Sequence, residues 1–273
     1  MSDAPLLSQS LTLQIPLYLK GMECGNCLKF GTLRIFGTYP SLDAAGTYPS
    51  LTFHSTELYT CIECGVLYNS STEKLDLNNA VAQIEWLERE NFYAVPSDKE
   101  LFLRKVDEAN NIFLFLKANN AWDIRWKNYF EIGGGSGITA VAALRHFEKV
   151  TVTDLSDERM RQAQKMSESD YYTIIEPAKS SEVKFDFFLA WHVFEHLVKP
   201  GQVMLNVIDQ LTPGGALCIQ VPLLTERHVY PGHIFMHNQN SLETILKGTR
   251  LKNRKYFYDT DLCAMTLFGV KQQ

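Results

Sequence analysis

Between Tyr129 and Gly137 the chain reads Tyr-Phe-Glu-Ile-Gly-Gly-Gly-Ser-Gly. A short apolar run ends on the acid Glu131, and Gly133, Gly134, Gly135 and Gly137 then let the backbone turn tightly and approach a ligand with no Cβ in the way. Ile138, Val141 and Leu144 follow at helical spacing. The stretch therefore reads as a strand, a glycine turn and a helix start, the ligand-facing end of a βαβ unit. The spaced glycines run G-x-G-x-G instead of the G-x-G-x-x-G of a dinucleotide site, so a cofactor without a pyrophosphate fits better. A glycine turn alone is equally well a plain tight loop, and its neighbours have to decide.

Three later segments bear on it. Val150 to Asp154, Val-Thr-Val-Thr-Asp, alternates like a strand and ends in an acid able to accept hydrogen bonds from ribose hydroxyls; the competing role for Asp154 is to cap a helix starting near Ser156. Phe185 to Leu197 is an apolar strand running out into Trp191, His192, Glu195 and His196. Leu211 to Pro222 is a helix end broken at Pro213-Gly214-Gly215, followed by another buried strand.

These four segments, in this order, resemble the class I S-adenosylmethionine-dependent methyltransferases over roughly residues 125 to 270. The resemblance implies an α/β fold with a Rossmann-like, seven-stranded, mostly parallel sheet. It puts the cofactor on Glu131, Gly133, Gly134, Gly135, Gly137, Asp154, Leu155 and Trp191, and the acceptor beside Trp191 to His196. It also offers Glu176, after a third strand at Tyr172 to Glu176, as a partner for the adenine amine; an exposed loop acid is the competing reading. Lys255 to Val270 reads as two strands joined around Asp259 to Asp261, the pair that closes such a sheet with one strand reversed.

Upstream, Cys24-Gly-Asn-Cys27 and Cys61-Ile-Glu-Cys64-Gly65 are two C-x-x-C knuckles. Four thiolates complete a closed tetrahedral zinc site, structural because no ligand position stays open. A redox pair would account for one knuckle only. A domain this small gains folding free energy from its metal. The organisation expected is a zinc-ribbon-like domain over 1–75, a helical connection covering the cofactor cleft over 76–125, and the methyltransferase core over 126–273. Knuckles followed by such a core are similar to the bacterial sugar C-methyltransferases, whose Tyr-His-Glu-His stretch corresponds here to Tyr230-Pro231-Gly232-His233.

Between the knuckles, Gly37-Thr-Tyr-Pro-Ser-Leu42 recurs as Gly46-Thr-Tyr-Pro-Ser-Leu51, which reads as a flexible loop extension. Two helical patterns follow. One carries Leu77, Val81, Ile84 and Leu87; the other runs from Leu101 to Leu116 after a cap at Ser97 or Asp98. The nearby aromatics Trp86, Phe92, Tyr93 and Phe102 read as core.

Methyl transfer from a sulfonium is an in-line displacement, so the protein must chiefly align the reactants and exclude water. A base is needed only where the acceptor loses a proton, and His196, His192 and His233 are the candidates near pH 7. Each also has a structural reading: His192 turned into the sheet, His196 on a backbone carbonyl, His233 as a loop anchor. Glu195 reads as an acceptor that fixes its turn.

A net charge of −5 and a pI near 5.8 give no electrostatic footprint for nucleic acid. No apolar run is long enough to span a membrane, the N-terminus lacks the basic region of a signal peptide, and the paired cysteines point to a reducing, cytoplasmic setting. The leading expectation is a cofactor-dependent methyltransferase of a small molecule, such as a nucleotide sugar or a natural-product intermediate. The alternatives are an RNA methyltransferase gripping its substrate with the zinc module, a non-catalytic zinc-linked binding module, and a hydride-transferring enzyme.

Overall fold

The computed structural model describes residues 23–42, 53–69, 95–154, 157–168, 172–175, 183–225, 228–229 and 232–273. The helical pattern around residues 77–87, the aromatics at 86, 92 and 93, the second GTYPSL copy, and Leu155, Glu176, Tyr230 and Pro231 lie outside the described residues.

The larger sheet has seven strands: β4 (Asn128–Ile132), β5 (Lys149–Thr153), β6 (Tyr172–Ile175), β7 (Phe185–Trp191), β8 (Leu211–Pro222), β10 (Leu251–Asp259) and β11 (Ala264–Lys271). Their order is β10-β11-β8-β7-β4-β5-β6, and β11 alone runs against the rest. This is the mostly parallel sheet expected from the sequence. From β4 the chain proceeds outward in one direction through β5 and β6, then restarts at β7 on the other side. A crevice for ligands opens at such a reversal, outside the carboxyl ends of β4 and β7.

The strands alternate between two apolar layers. Tyr129, Val150, Val152, Phe187, Leu189 and Cys218 face α1 (Lys99–Ala118), α2 (Ile138–Ala143) and α3 (Glu158–Ser167). Phe130, Phe188, Ala190, Leu217, Ile219 and Leu267 face α4 (Pro200–Gln210) and α5 (Gln239–Leu246). Both faces being covered explains why the strands read as continuous apolar runs. The Asp98 side chain caps α1 by accepting from the Leu101 amide at 2.7 Å. In α2 the fully buried positions are Ala140, Ala142 and Ala143, while Ile138, Val141 and Leu144 are only half-buried. Close approach of helix and sheet therefore selects the small residues.

The smaller sheet has the order β1-β2-β3-β9, from β1 (Leu33–Leu42), β2 (Phe53–Cys61), β3 (Leu67–Asn69) and β9 (Phe235–Met236). The first GTYPSL copy is not a loop: Gly37 to Leu42 forms the outer half of β1, paired antiparallel with Leu58 to Phe53. Pro40 is tolerated because β1 lies at the sheet edge, where a missing amide donor costs least. The fourth strand, β9, comes from far along the chain, and it ties the small sheet to the large domain.

Candidate functional site

The glycine turn is held at both ends. The amides of Gly133 and Gly134 donate to the Thr153 carbonyl at 2.8 and 3.2 Å, joining the end of β4 to the end of β5. Gly137 closes the turn on the Gly134 carbonyl at 2.7 Å and caps α2. Gly133, Gly135 and Gly137 have φ of 73°, 50° and 73°, left-handed values that favour glycine. Space is equally restrictive, since a Cβ on Gly133 would lie 2.3 Å from Val193 Cγ2 and one on Gly134 2.7 Å from Met160 Sδ. Asp154, immediately after β5, accepts from the Gly135 amide at 2.7 Å. It is therefore aimed across the turn and does not cap α3, whose N-cap is Asp157.

Glu131 is buried at the end of β4 and accepts from the Tyr129 hydroxyl at 2.9 Å. Burial pushes its carboxyl up to about 8, the Tyr129 hydroxyl partly opposing, and the charge of Asp154 adds to the rise. The two acids thus sense one another across the neighbouring ends of β4 and β5. Burial thus favours the protonated form of Glu131.

The third wall comes from the end of β7. Trp191 is half-buried there, and His192 follows in a left-handed conformation, φ 54°, with its amide on the Gln220 carbonyl at 3.0 Å. A non-glycine residue in this region is uncommon, and here it turns the chain abruptly into the short 3₁₀ turn Phe194–His196. His192 therefore does not enter the sheet. Its Nδ1 lies 3.4 Å from Glu195 Oε1, while His196 Nε2 and His233 Nε2 approach the same oxygen to 4.0 and 3.9 Å. The Glu195 side chain is wholly buried, and neither of its oxygens has a hydrogen-bond partner. Burial pushes this carboxyl up, but the His192 ring and the charges of His196, His233 and His192 outweigh it and hold it at about 2. Burial, with the charge of His196, pushes the His233 imidazole well below its usual value.

Two of these rings are anchored on the main chain. His196 Nδ1 donates to the Gly232 carbonyl at 2.8 Å and His233 Nδ1 to the His228 carbonyl at 2.7 Å. Both carbonyl and loop-anchor readings therefore describe what these rings do. The sequence reasoning missed His228, whose Nδ1 in turn donates to the Leu223 carbonyl at 2.8 Å, and buried His237, beside the Phe194 carbonyl. The five-residue spacing of His228 and His233 was the available signal.

The two knuckles bring four sulfurs together. Cys24 and Cys64 are 3.8 Å apart, Cys27 and Cys61 3.6 Å, and all four sulfurs lie within 4.8 Å of one another. Tetrahedral thiolate ligands of zinc are spaced by about 3.8 Å, so the donor set fits that ion. Each knuckle closes through an amide after its second cysteine: Leu28 on the Cys24 carbonyl and Gly65 on the Cys61 carbonyl, both at 2.7 Å and both left-handed. The hydrogen bond with Cys24 holds the Cys64 thiol down against burial, while burial pushes the Cys27 thiol up.

The knuckles rest directly on the large domain. Gly201 donates to the Gly25 carbonyl at 3.1 Å, Asn26 Nδ2 donates to the Ser241 carbonyl at 3.0 Å, and Asn240 Nδ2 donates to the Cys64 carbonyl at 3.1 Å. Among the described residues no helix is long and apolar enough to cross a membrane.

Residues 101–256 match a family model described as a methyltransferase domain. No curated protein matches the chain. Among solved structures, the N-methyltransferase NodS from Bradyrhizobium japonicum WM9 in complex with S-adenosyl-L-homocysteine aligns with a TM-score of 0.51 at 19% identity, over 70% of this chain and 99% of NodS. The magnesium protoporphyrin IX methyltransferase ChlM from Synechocystis PCC 6803, with the same molecule bound, aligns with a TM-score of 0.50 at 13% identity, over 74% and 100%. An O-methyltransferase family protein from Burkholderia thailandensis aligns with a TM-score of 0.50 at 13% identity, over 72% and 62%. These likenesses establish the class I methyltransferase fold.

Proposed function

The chain belongs to the methyltransferase domain family, and on that premise we propose that it methylates a small molecule with S-adenosyl-L-methionine, its four clustered cysteines holding a structural zinc ion. One observation carries the reading. At the topological switch point, Asp154 crosses to the Gly135 amide over a turn with three left-handed glycines, beside the buried Glu131. In this reading the Asp154 carboxylate, at the tip of β5, accepts from ribose hydroxyls. The S-adenosyl-L-homocysteine bound to NodS and ChlM supports the same choice.

The cofactor, when bound, supplies a methyl group on a sulfonium. In the reaction the bond from methyl carbon to acceptor forms as the carbon–sulfur bond breaks, the sulfide leaves neutral, and any acceptor proton must pass to the protein. In this reading Gly133, Gly134, Gly135 and Gly137 cradle the methionine end, Asp154 and the following Leu155 hold the ribose, and Trp191 walls the pocket. The acceptor lies against the 192–196 turn. His192 is the best placed of the three histidines to take a proton: it is the most exposed, with 29% of its side chain open, and its Nδ1 lies 3.4 Å from the Glu195 carboxylate. A reducing, cytoplasmic setting would keep the knuckle thiols available for metal.

No observation favours an RNA substrate. Lys29 is engaged by Glu63 at 2.6 Å, and the Arg34 guanidinium donates to the Gly31 and Leu33 carbonyls. Calorimetry with S-adenosyl-L-methionine against NADH tests the cofactor, and methyl incorporation across nucleotide sugars and natural-product precursors tests the acceptor. Binding of NADH without binding of the sulfonium would overturn the proposal.

A further inference from the structure

Glu195 presents a problem that methyl transfer does not solve. A carboxylate wholly withdrawn from water costs several kcal/mol unless charges or donors compensate it, yet both of its oxygens are buried without a hydrogen-bond donor. His192 Nδ1 stands 3.4 Å from Oε1 without a well-aligned bond, and the rings of His196 and His233 do not direct N–H groups at it. Because a carbonyl can only accept, the bonds to Gly232 and His228 place the proton of each neutral ring on Nδ1. The lone pair of each ring is then on Nε2, the atom that faces Glu195 Oε1 at 4.0 Å from His196 and 3.9 Å from His233. Three electron-pair donors converge on one small volume.

We propose that Glu195 Oε1, His196 Nε2 and His233 Nε2 form a second metal site, a two-histidine, one-carboxylate triad for a first-row divalent cation of the zinc or cobalt class. The three donor atoms lie within 4.8 Å of one another. Ligands at about 2.0–2.2 Å in tetrahedral array are spaced by roughly 3.4 Å, so a contraction of about half an ångström brings each histidine nitrogen to its place beside the carboxylate. The outer shell is already in place, since metal-binding histidines characteristically donate their other N–H to a carbonyl or carboxylate. Nitrogen and oxygen donors without sulfur separate this site from the knuckles and suit zinc, cobalt or iron(II) over calcium or magnesium. Three protein ligands leave a coordination position open, as in catalytic and not structural sites.

The metal site stands on this geometry alone; only its use, holding an acceptor oxygen for methylation, rests on the function proposed above. An acceptor hydroxyl bound at the open position would lose its proton more readily. His192, whose Nδ1 is 3.4 Å from the same carboxylate, is at hand to receive it.

Cobalt titration of the metal-stripped full chain tests the site. The knuckles give an intense sulfur-to-cobalt charge-transfer band, whereas the triad adds only weaker ligand-field bands. We expect a second equivalent of cobalt to bind after the sulfur band has saturated, and to be lost in Glu195→Gln and in His233→Gln with the sulfur band intact. That band serves as the internal control for folding; should either variant lose it, His196→Gln supplies the same comparison. Saturation at one equivalent, or a second equivalent unaffected by these substitutions, overturns the proposal. Neither result depends on cofactor or acceptor. Calorimetry with S-adenosyl-L-methionine on the same preparations reports separately on the methyltransferase reading.

Discussion

The Ile234 amide donates to the Glu195 main-chain carbonyl at 2.8 Å. Through that bond the segment carrying His233 is fastened to the turn carrying the buried carboxylate. Ile234 and Phe235 also pack into the apolar cluster around Cys24, Cys61 and Cys64, and Phe235 pairs with Tyr68 in β3. The knuckle domain is thus one wall of the frame that holds the candidate acceptor site.

Removing metal from the four cysteines should loosen that frame. After chelation, amide exchange at Ile234, Phe235 and Met236 should rise at least about tenfold, while the α1 and β4 amides stay protected. Hydrogen-exchange mass spectrometry reads both. Unchanged protection at 234–236 in metal-free protein would show that the knuckles do not support the site.

Gly201→Ala should part the domains. Its Cβ would fall 1.9 Å from the Asn26 carbonyl oxygen, and backbone has little freedom to retreat. The cost is about 1–3 kcal/mol, read as a lower urea midpoint and faster proteolysis near the first knuckle. A midpoint equal to that of the parent would mean the contact is dispensable.

Gly133→Ala combines two penalties. Its Cβ would lie 2.3 Å from Val193 Cγ2, and φ of 73° disfavours any side chain there by about 1–2 kcal/mol. We expect binding of S-adenosyl-L-methionine to weaken by about tenfold or more. Adding Val193→Ala should recover the steric part and leave the backbone part. Full recovery in the double variant would contradict the conformational argument, and calorimetry of both proteins decides it.

Stability against pH should carry opposite signatures from the two buried acids. The Glu131 carboxyl is raised from 4.5 to about 8, so its contribution is present below pH 4.5 and is lost as pH rises through 8, by about 3–5 kcal/mol at most. Glu131→Gln should therefore gain on the parent across that window in ligand-free protein. Glu195 is lowered from 4.5 to about 2; its contribution is present above pH 4.5 and fades as pH falls through 2. Parallel Tm curves for Glu131→Gln and the parent from pH 5 to 9 would refute the burial argument for Glu131.

Short-range signals in the chain were reliable. The glycine turn, the Asp98 cap, the terminal β10–β11 pair and the two cysteine knuckles all follow from local spacing or turn chemistry. Pattern reading failed where context outweighed composition. Gly37 to Leu42 looks like loop by its Gly, Pro and Ser content, yet pairing with β2 makes it strand. The two-residue β9 is too short for any periodicity to reveal.

From its sequence alone this protein is an α/β chain with a glycine turn at residues 131–137 and two C-x-x-C knuckles, because a left-handed turn, a helix cap or a C-x-x-C pair is decided by residues a few positions apart. Only the tertiary structure decided that Glu195 is sealed from water among three rings, that His196 and His233 are anchored by distant carbonyls, and that burial pushes the Glu131 carboxyl up. Burial and charge depend on what the whole chain packs against a group, and no local stretch of sequence contains that information.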